Sequence, residues 1–366
     1  MRSSKAVVVT GKDTLELRSF PVPELTDDGG ILRLEACGMC GTDLTFFYGR
    51  LKNTRYPFIL GHEPVGIVDS LTHAAAKRWG VRAGDRVAVQ YFTCGVCGAC
   101  RSGQQGNCET ATNSLGFTPV TTPPALWGGY AEYMYIPPNA RVFPMSKDLL
   151  PQTAALFNAL AGAISWTVER PGLQRGQTLA IMGPGQRGLA SIVAAKDAGA
   201  SFVAVVGRGR NPYKLQLAKE LGADLVIDSD TTNPADAIKK VLGRGVDIAV
   251  DLTPAAEPLL QAFAVIRGGG IVVEAGGKSG MEVPGFTPDL IRSKNATIMG
   301  TKGPTISGLE KSIALLESHK HPELERLVTH TFPLERAREA LLTLAGDYPD
   351  RKAMNVVMLP GQQAAP

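Results

Sequence analysis

Residues 178–199 read TLAIMGPGQRGLASIVAAKDAG. A short strand-like run enters Gly183-Pro184-Gly185-Gln186-Arg187-Gly188, and a helical pattern follows at once. The glycines of such a turn have separate tasks. Gly183 permits the tight turn, Gly185 lets a pyrophosphate approach the backbone, and Gly188 lets helix and strand pack closely. The helix N-terminus then offers free N–H groups and the positive end of its dipole to phosphates. A GxGxxG alone is a weak signal, since other glycine-rich stretches such as RGGGIV (267–272) occur here. Its place between a strand and a helix is what points to dinucleotide binding.

The alternation continues downstream. SFVAVVG (201–207), ADLVID (223–228), VDIAVDLT (246–253) and GGGIVVEAGG (268–277) read as strands, with PYKLQLAKELG (212–222) as an intervening helix. Strand–helix alternation at this spacing predicts a doubly wound parallel sheet, an α/β unit over residues 151–300. A site for NAD carries an acidic residue at the end of the second strand, where it holds the ribose 2′-hydroxyl. Here that strand ends in Gly207-Arg208-Gly209-Arg210. It supplies no carboxylate and two guanidiniums, whose fork matches a 2′-phosphate. NADP(H) is therefore expected over NAD(H); as plain solvated turn residues, the two arginines would leave the choice open.

Upstream, residues 5–136 break into short strands, among them ILRLEACG (31–38), GIVDSL (66–71), DRVAVQYF (85–92) and YAEYMYI (130–136), which predicts an all-β unit over residues 1–150. Within it, residues 94–108 read CGVCGACRSGQQGNC and hold four of the six cysteines. The spacing of Cys94, Cys97, Cys100 and Cys108 suits a tetrahedral zinc, and four thiolates leave no open position, so the expected site is structural. An iron–sulfur run usually ends in a cysteine followed by proline, whereas Glu109 follows Cys108. Disulfides are disfavoured because residues 1–20, MRSSKAVVVTGKDTLELRSF, lack the apolar core and cleavage site of a secretory leader. With no apolar run near the ~18 residues of a membrane span, a cytoplasmic protein is expected. A net charge of only +4 with no basic run argues against nucleic-acid or membrane partners.

The chemistry is sought in EACGMCGTDLTFF (35–47) and ILGHEPVGIV (59–68). Cys40 and His62 suit zinc, and Glu63 adjoins His62; two or three such ligands and an open position are what Lewis-acid zinc needs. Thr42 offers a proton-relay hydroxyl, and Asp43 can orient the His62 imidazole. Taken singly, Cys40 is also readable as a buried thiol and His62 as a loop histidine. Phe46, Phe47, Tyr48 and Trp127 are candidates for an aromatic wall or for ordinary core, and a weak preference for an apolar or aromatic alcohol follows.

The motifs CGMCGTD (37–43), GHEPVGIV (61–68), the four-cysteine lobe, GGYAEYMYI (128–136) and GPGQRG (183–188) together resemble those of zinc-containing medium-chain dehydrogenases/reductases, the alcohol and polyol dehydrogenase superfamily. The resemblance runs over nearly the whole chain. It implies a GroES-like β-barrel catalytic domain (1–150, completed by about 301–366), a Rossmann cofactor domain (151–300), two zinc ions and a homodimer or homotetramer. By motif position Cys40 and His62 are zinc ligands, Glu63 a movable ligand, Thr42 the relay and Cys37 a buried thiol. The implied reaction is hydride transfer between a nicotinamide cofactor and an alcohol–carbonyl pair. One departure stands out: Asn158 falls nearest the place of the family's third ligand, and a neutral amide is a poor zinc ligand. A zinc held by Cys40, His62 and Glu63, a weakly held metal, or none are all open on this reading. The last would leave a zinc-independent NADPH reductase of activated C=C bonds or quinones; a non-enzymatic NADPH-sensing role is a further alternative.

Overall fold

A computed structural model describes residues 2–25, 28–51, 54–110 and 114–362. The chain divides into two compact units, one of residues 1–158, 313–320 and 328–366, the other of residues 159–312 and 321–327. The expected divisions near 150 and 300 differ from these for packing reasons. Helix Pro151–Ala154 lies against strands of the first unit, and the helical turn Pro322–Leu327 packs on helix Gln186–Asp197 of the second.

The first unit opens with β1 (Ser3–Gly11), β2 (Thr14–Pro21), β3 (Gly30–Met39), β4 (Phe58–Ile59), β5 (Glu63–Leu71), β6 (Arg86–Phe92), β7 (Tyr133–Ile136) and β8 (Ala140–Pro144). The second contains β9 (Thr178–Met182), β10 (Phe202–Gly207), β11 (Leu225–Asp228), β12 (Val246–Asp251), β13 (Ile266–Glu274) and β14 (Thr297–Gly300). The chain then returns to the first unit for β15 (Val328–Phe332) and β16 (Asn355–Met358).

In the first unit β2-β1-β4 form a three-stranded sheet. A seven-stranded sheet runs β15-β16-β3-β5-β6-β8, with β7 also on β3. The larger apolar clusters of this unit gather around Phe47, Phe58 and Tyr130 and around Leu32, Val87, Trp127 and Met134. The pairing of β3 with β5 matters most for function. It is antiparallel and sets Gly38 opposite Glu63, so the residues just after β3 meet those just before β5.

The second unit is a six-stranded parallel sheet of order β11-β10-β9-β12-β13-β14. Every residue of β9, β10 and β12 is buried, as expected of parallel strands covered on both faces. From β9 the chain steps outward to β10 and β11, then crosses back to β12 on the other side of β9. The switch in strand order, where such sheets bind ligands beyond their C-terminal ends, thus lies between β9 and β12.

Candidate functional site

Cys40 follows β3 directly and caps the N-terminus of helix Gly41–Phe47. Its Sγ accepts the Thr42 N–H at 3.4 Å, and its own N–H donates to Asp43 Oδ2 at 2.9 Å. The β3–β5 pairing carries His62 to it from 22 positions away, with Cys40 Sγ and His62 Nε2 3.4 Å apart. On the other side of the ring Asp43 Oδ1 stands 3.6 Å from His62 Nδ1, and Glu63 Oε1 is 3.8 Å from His62 Nε2. Gly38 makes room for the last of these, since a Cβ there would strike Glu63 Oε2.

Cys40, His62 and Glu63 thus present a sulfur, a nitrogen and an oxygen that all lie within 4.8 Å of one another. Ligands at ~2.3 Å and ~2.0 Å on a tetrahedral zinc stand about 3.5 Å apart, so the Cys40–His62 spacing fits that ion. The electrostatics agree. Burial pushes the His62 imidazolium down, yet Cys40 and Asp43 outweigh it and hold its pKa well above the ordinary value. A pocket that favours positive charge so strongly is suited to a divalent cation. Asn158 is buried, 1% exposed, at the start of helix Phe157–Ala163. Cys37 is buried and burial pushes its thiol far up, which makes it an inert core residue.

The aromatic candidates separate. Phe46 stacks on Phe117 at 4.3 Å, and Phe117 lies 5.3 Å from the His62 ring. Phe47 and Trp127 belong to the cores, and the Tyr48 hydroxyl donates to Asp347. Phe117 carries no motif signal; a loop residue reaches the histidine only through the tertiary fold.

In the cysteine lobe, Cys94 accepts N–H bonds from Val96 at 3.5 Å and Cys97 at 3.3 Å, Cys97 accepts one from Cys100, and Cys108 accepts one from Cys94. Such donors favour thiolate: hydrogen bonds from Thr110, Val96 and Cys97 bring Cys94 down to about 6, while burial first, with its sulfur neighbours, takes Cys100 up to about 12. Cys94 and Cys100 sulfurs are 3.9 Å apart, close to the ~3.8 Å edge of a zinc–sulfur tetrahedron and far beyond a disulfide bond. The donor set fits a structural zinc.

At the head of the parallel sheet Gly183 has φ +100°, and a Cβ on Gly188 would fall on its carbonyl oxygen. Gly185 caps helix Gln186–Asp197 with no side-chain hydrogen bond, which leaves the first N–H groups for an anion, and a Cβ there meets nothing within 4 Å. Gly207 passes so near Pro184 that a Cβ would lie 2.6 Å from its Cγ. Gln186 begins the helix, while the Arg187 guanidinium lies 4.5 Å over the Trp166 ring.

The turn after β10 holds more than its own strand supplies. The strand itself ends without an acid, but the end of β11 and the turn just after it bring two carboxylates. Asp228 Oδ1 accepts the Gly209 N–H at 2.7 Å, and Asp230 pairs with Arg208 at 2.8 Å. The register Gly207–Asp228 makes this meeting inevitable, and spacing along the second strand alone does not reveal it. Lys214, on helix Pro212–Glu220, is half-buried, and burial with the adjacent Arg210 lowers its pKa.

This arrangement defines a class: a zinc-binding catalytic unit joined to a dinucleotide-binding one. Residues 27–147 match the family of alcohol dehydrogenase GroES-like domains, and residues 188–318 that of zinc-binding dehydrogenases. A probable alcohol dehydrogenase of Mycobacterium tuberculosis is 39% identical over 349 residues, 94% of this chain and 95% of its own. A sorbitol dehydrogenase of Bacillus subtilis is 30% identical over 93% of each chain. The solved alcohol dehydrogenase of Thermotoga maritima superposes with a TM-score of 0.88 at 26% identity, over 98% of this chain and 100% of its own. The chain belongs to the zinc-containing medium-chain dehydrogenase/reductase superfamily and is an oxidoreductase acting on CH–OH groups. With that membership go zinc and a nicotinamide cofactor.

Proposed function

We propose that the chain is a zinc-dependent alcohol dehydrogenase, or carbonyl reductase in reverse, that uses NADP(H) and takes a small apolar or aromatic alcohol–carbonyl pair. The convergence of Cys40, His62 and Glu63 donors within 4.8 Å carries this reading. These three residues would hold the catalytic zinc. When bound, the ion supplies Lewis-acid polarisation of the substrate oxygen, and the nicotinamide supplies or accepts hydride.

The remaining roles belong to the chain. Asp43 Oδ1 stands behind the His62 ring at 3.6 Å, near enough to orient it once a metal is held, and Asp43 Oδ2 accepts the Cys40 N–H, so one carboxylate serves two ligands. Thr42, whose backbone N–H donates to Cys40 Sγ, carries the hydroxyl assigned to pass the alcohol proton. Phe46 and Phe117 form an apolar flank near His62. For the cofactor, Gly209 brings no side chain to the turn and Asp228 is engaged in capping it. Arg210 and Lys214 remain as clustered cations, which favours a 2′-phosphate.

The zinc-independent reductase reading draws on one observation, Asn158 near the third-ligand position. Zinc per chain, on protein purified without chelators, separates the two. Two equivalents, with an alcohol activity that a chelator abolishes and zinc restores, support the proposal. One equivalent, with a carbonyl or C=C reductase activity indifferent to chelation, overturns it.

A further inference from the structure

A buried charge cluster at the C-terminal edge of the parallel sheet has no part in the chemistry above. Asp251 ends β12, Glu274 ends β13 directly opposite it, and Lys278 follows four residues on. Lys278 Nζ donates to Asp251 Oδ2 at 2.7 Å and to the Thr253 carbonyl at 2.8 Å, and stands 3.1 Å from Glu274 Oε1. The Asp251 side chain is fully buried, that of Lys278 12% exposed and that of Glu274 25%. Asp251 Oδ1 in turn accepts the N–H and the hydroxyl of Thr253. Thr253 packs on Gly183, the first glycine of the phosphate turn, where a Cβ would lie 2.6 Å from its Cγ2.

The direction of the dinucleotide follows from the sheet. A dinucleotide with its pyrophosphate at Gly183–Gly188 and its adenosine ribose at the end of β10 would place its nicotinamide half on the β12–β13 side of the switch point. At the ends of those strands lie two carboxylates and one ammonium. With both acids ionised the cluster carries one net negative charge; with Glu274 protonated it is neutral. Oxidised nicotinamide bears a positive charge that the reduced ring lacks.

We infer that Asp251 and Lys278 position the turn carrying Gly183, and that the charge on Glu274 biases the site between oxidised and reduced cofactor. This rests on nicotinamide binding at the turn. Burial, then Asp251, takes Glu274 up to about 7 against the pull of Lys278, so its charge changes near neutrality. No other charge is engaged with it among the described neighbours. Its backbone pairs with Gly300 on β14 and its carbonyl accepts the Thr301 N–H. On the flanking helices Glu257 is bonded to Gln261, Asp289 to Arg292, and Lys294 to the carbonyls of Ala264 and Ile266. Lys302, next along, is exposed.

The test is the ratio of dissociation constants, reduced over oxidised, measured by titration calorimetry between about pH 6 and 8.5. Any titration of the 2′-phosphate is common to both forms and cancels in the ratio. The NAD+/NADH pair, run beside NADP+/NADPH, has the same ring charges and responds alike. The ratio rises about three- to tenfold with pH in the native protein, the effect of one screened unit charge. In Glu274→Gln it stays flat, near the native low-pH value. A flat native ratio, or an unchanged rise in a folded Glu274→Gln, overturns the inference while leaving the cofactor reading intact. Failure of both cofactor pairs to bind the native protein removes the cofactor reading, and the inference with it. Should Glu274→Gln not fold, Glu274→Ala takes its place with the same expected flat ratio, and a flat native ratio still overturns the inference.

Discussion

Asp43 touches both the Cys40 backbone and the His62 ring, and Cys40 supplies a sulfur to the same cluster. Replacing each separates holding the metal from orienting its ligands. Cys40→Ser is expected to lose one of two zinc equivalents, keep the other, and lose about a thousandfold or more in kcat, since the metal carries several kcal/mol of charge stabilisation. Asp43→Asn retains a hydrogen-bonding side chain and weakens zinc about 10- to 100-fold, read by competition with a chromophoric chelator. In the cofactor unit, Arg210→Ala and Lys214→Ala are expected to raise the KM for NADP+ about tenfold and leave that for NAD+ nearly unchanged. Equal effects on the two cofactors would show that these cations do not meet a 2′-phosphate.

The strand–turn–helix of residues 178–197 makes two of its glycines behave differently on substitution. A Cβ on Gly188 collides with the Gly183 carbonyl, so Gly188→Ala lowers both the unfolding temperature and cofactor affinity. A Cβ on Gly185 meets no protein atom, so Gly185→Ala keeps the unfolding temperature within about 2 °C yet weakens cofactor binding more than tenfold, the mark of a residue that faces the ligand. The same element shows how far the sequence could be read. Gly183, Gly185 and Gly188 act along one stretch of chain, and so do Cys94 to Cys108, so spacing reveals them. Cys40 and His62 were recognisable only because family motifs frame them. Phe117, Asp228 and Lys214 were not legible: a loop, a neighbouring strand's end and a helix turn bring them in, and no periodicity encodes those meetings. Arg187 fits the motif, but its guanidinium packs on Trp166.

At the scale of the molecule, the parallel sheet is fastened at its base by Asp247. Its carboxylate accepts from the Thr178 N–H and hydroxyl on β9, from Arg244 at 3.1 Å and from Arg267 at 2.6 Å. Burial raises its pKa, but these partners outweigh that and hold it well below the usual carboxylate range. A depressed acid stabilises the fold fully above its unfolded value of ~3.9, and that contribution fades as pH falls further toward the folded value. Denaturant titrations should therefore show native stability dropping below about pH 4, with Asp247→Asn about 1–3 kcal/mol less stable at neutral pH and less sensitive to acid. The chain's course through the two units bears on its birth as well. Strand β16 lies between β15 and β3, yet residues 355–358 leave the ribosome after residues 159–312 and 321–327, which make up the other unit. The cofactor-binding unit can therefore mature first, while the zinc-binding unit waits for β16, with Cys40 and His62 already made and their sheet still open.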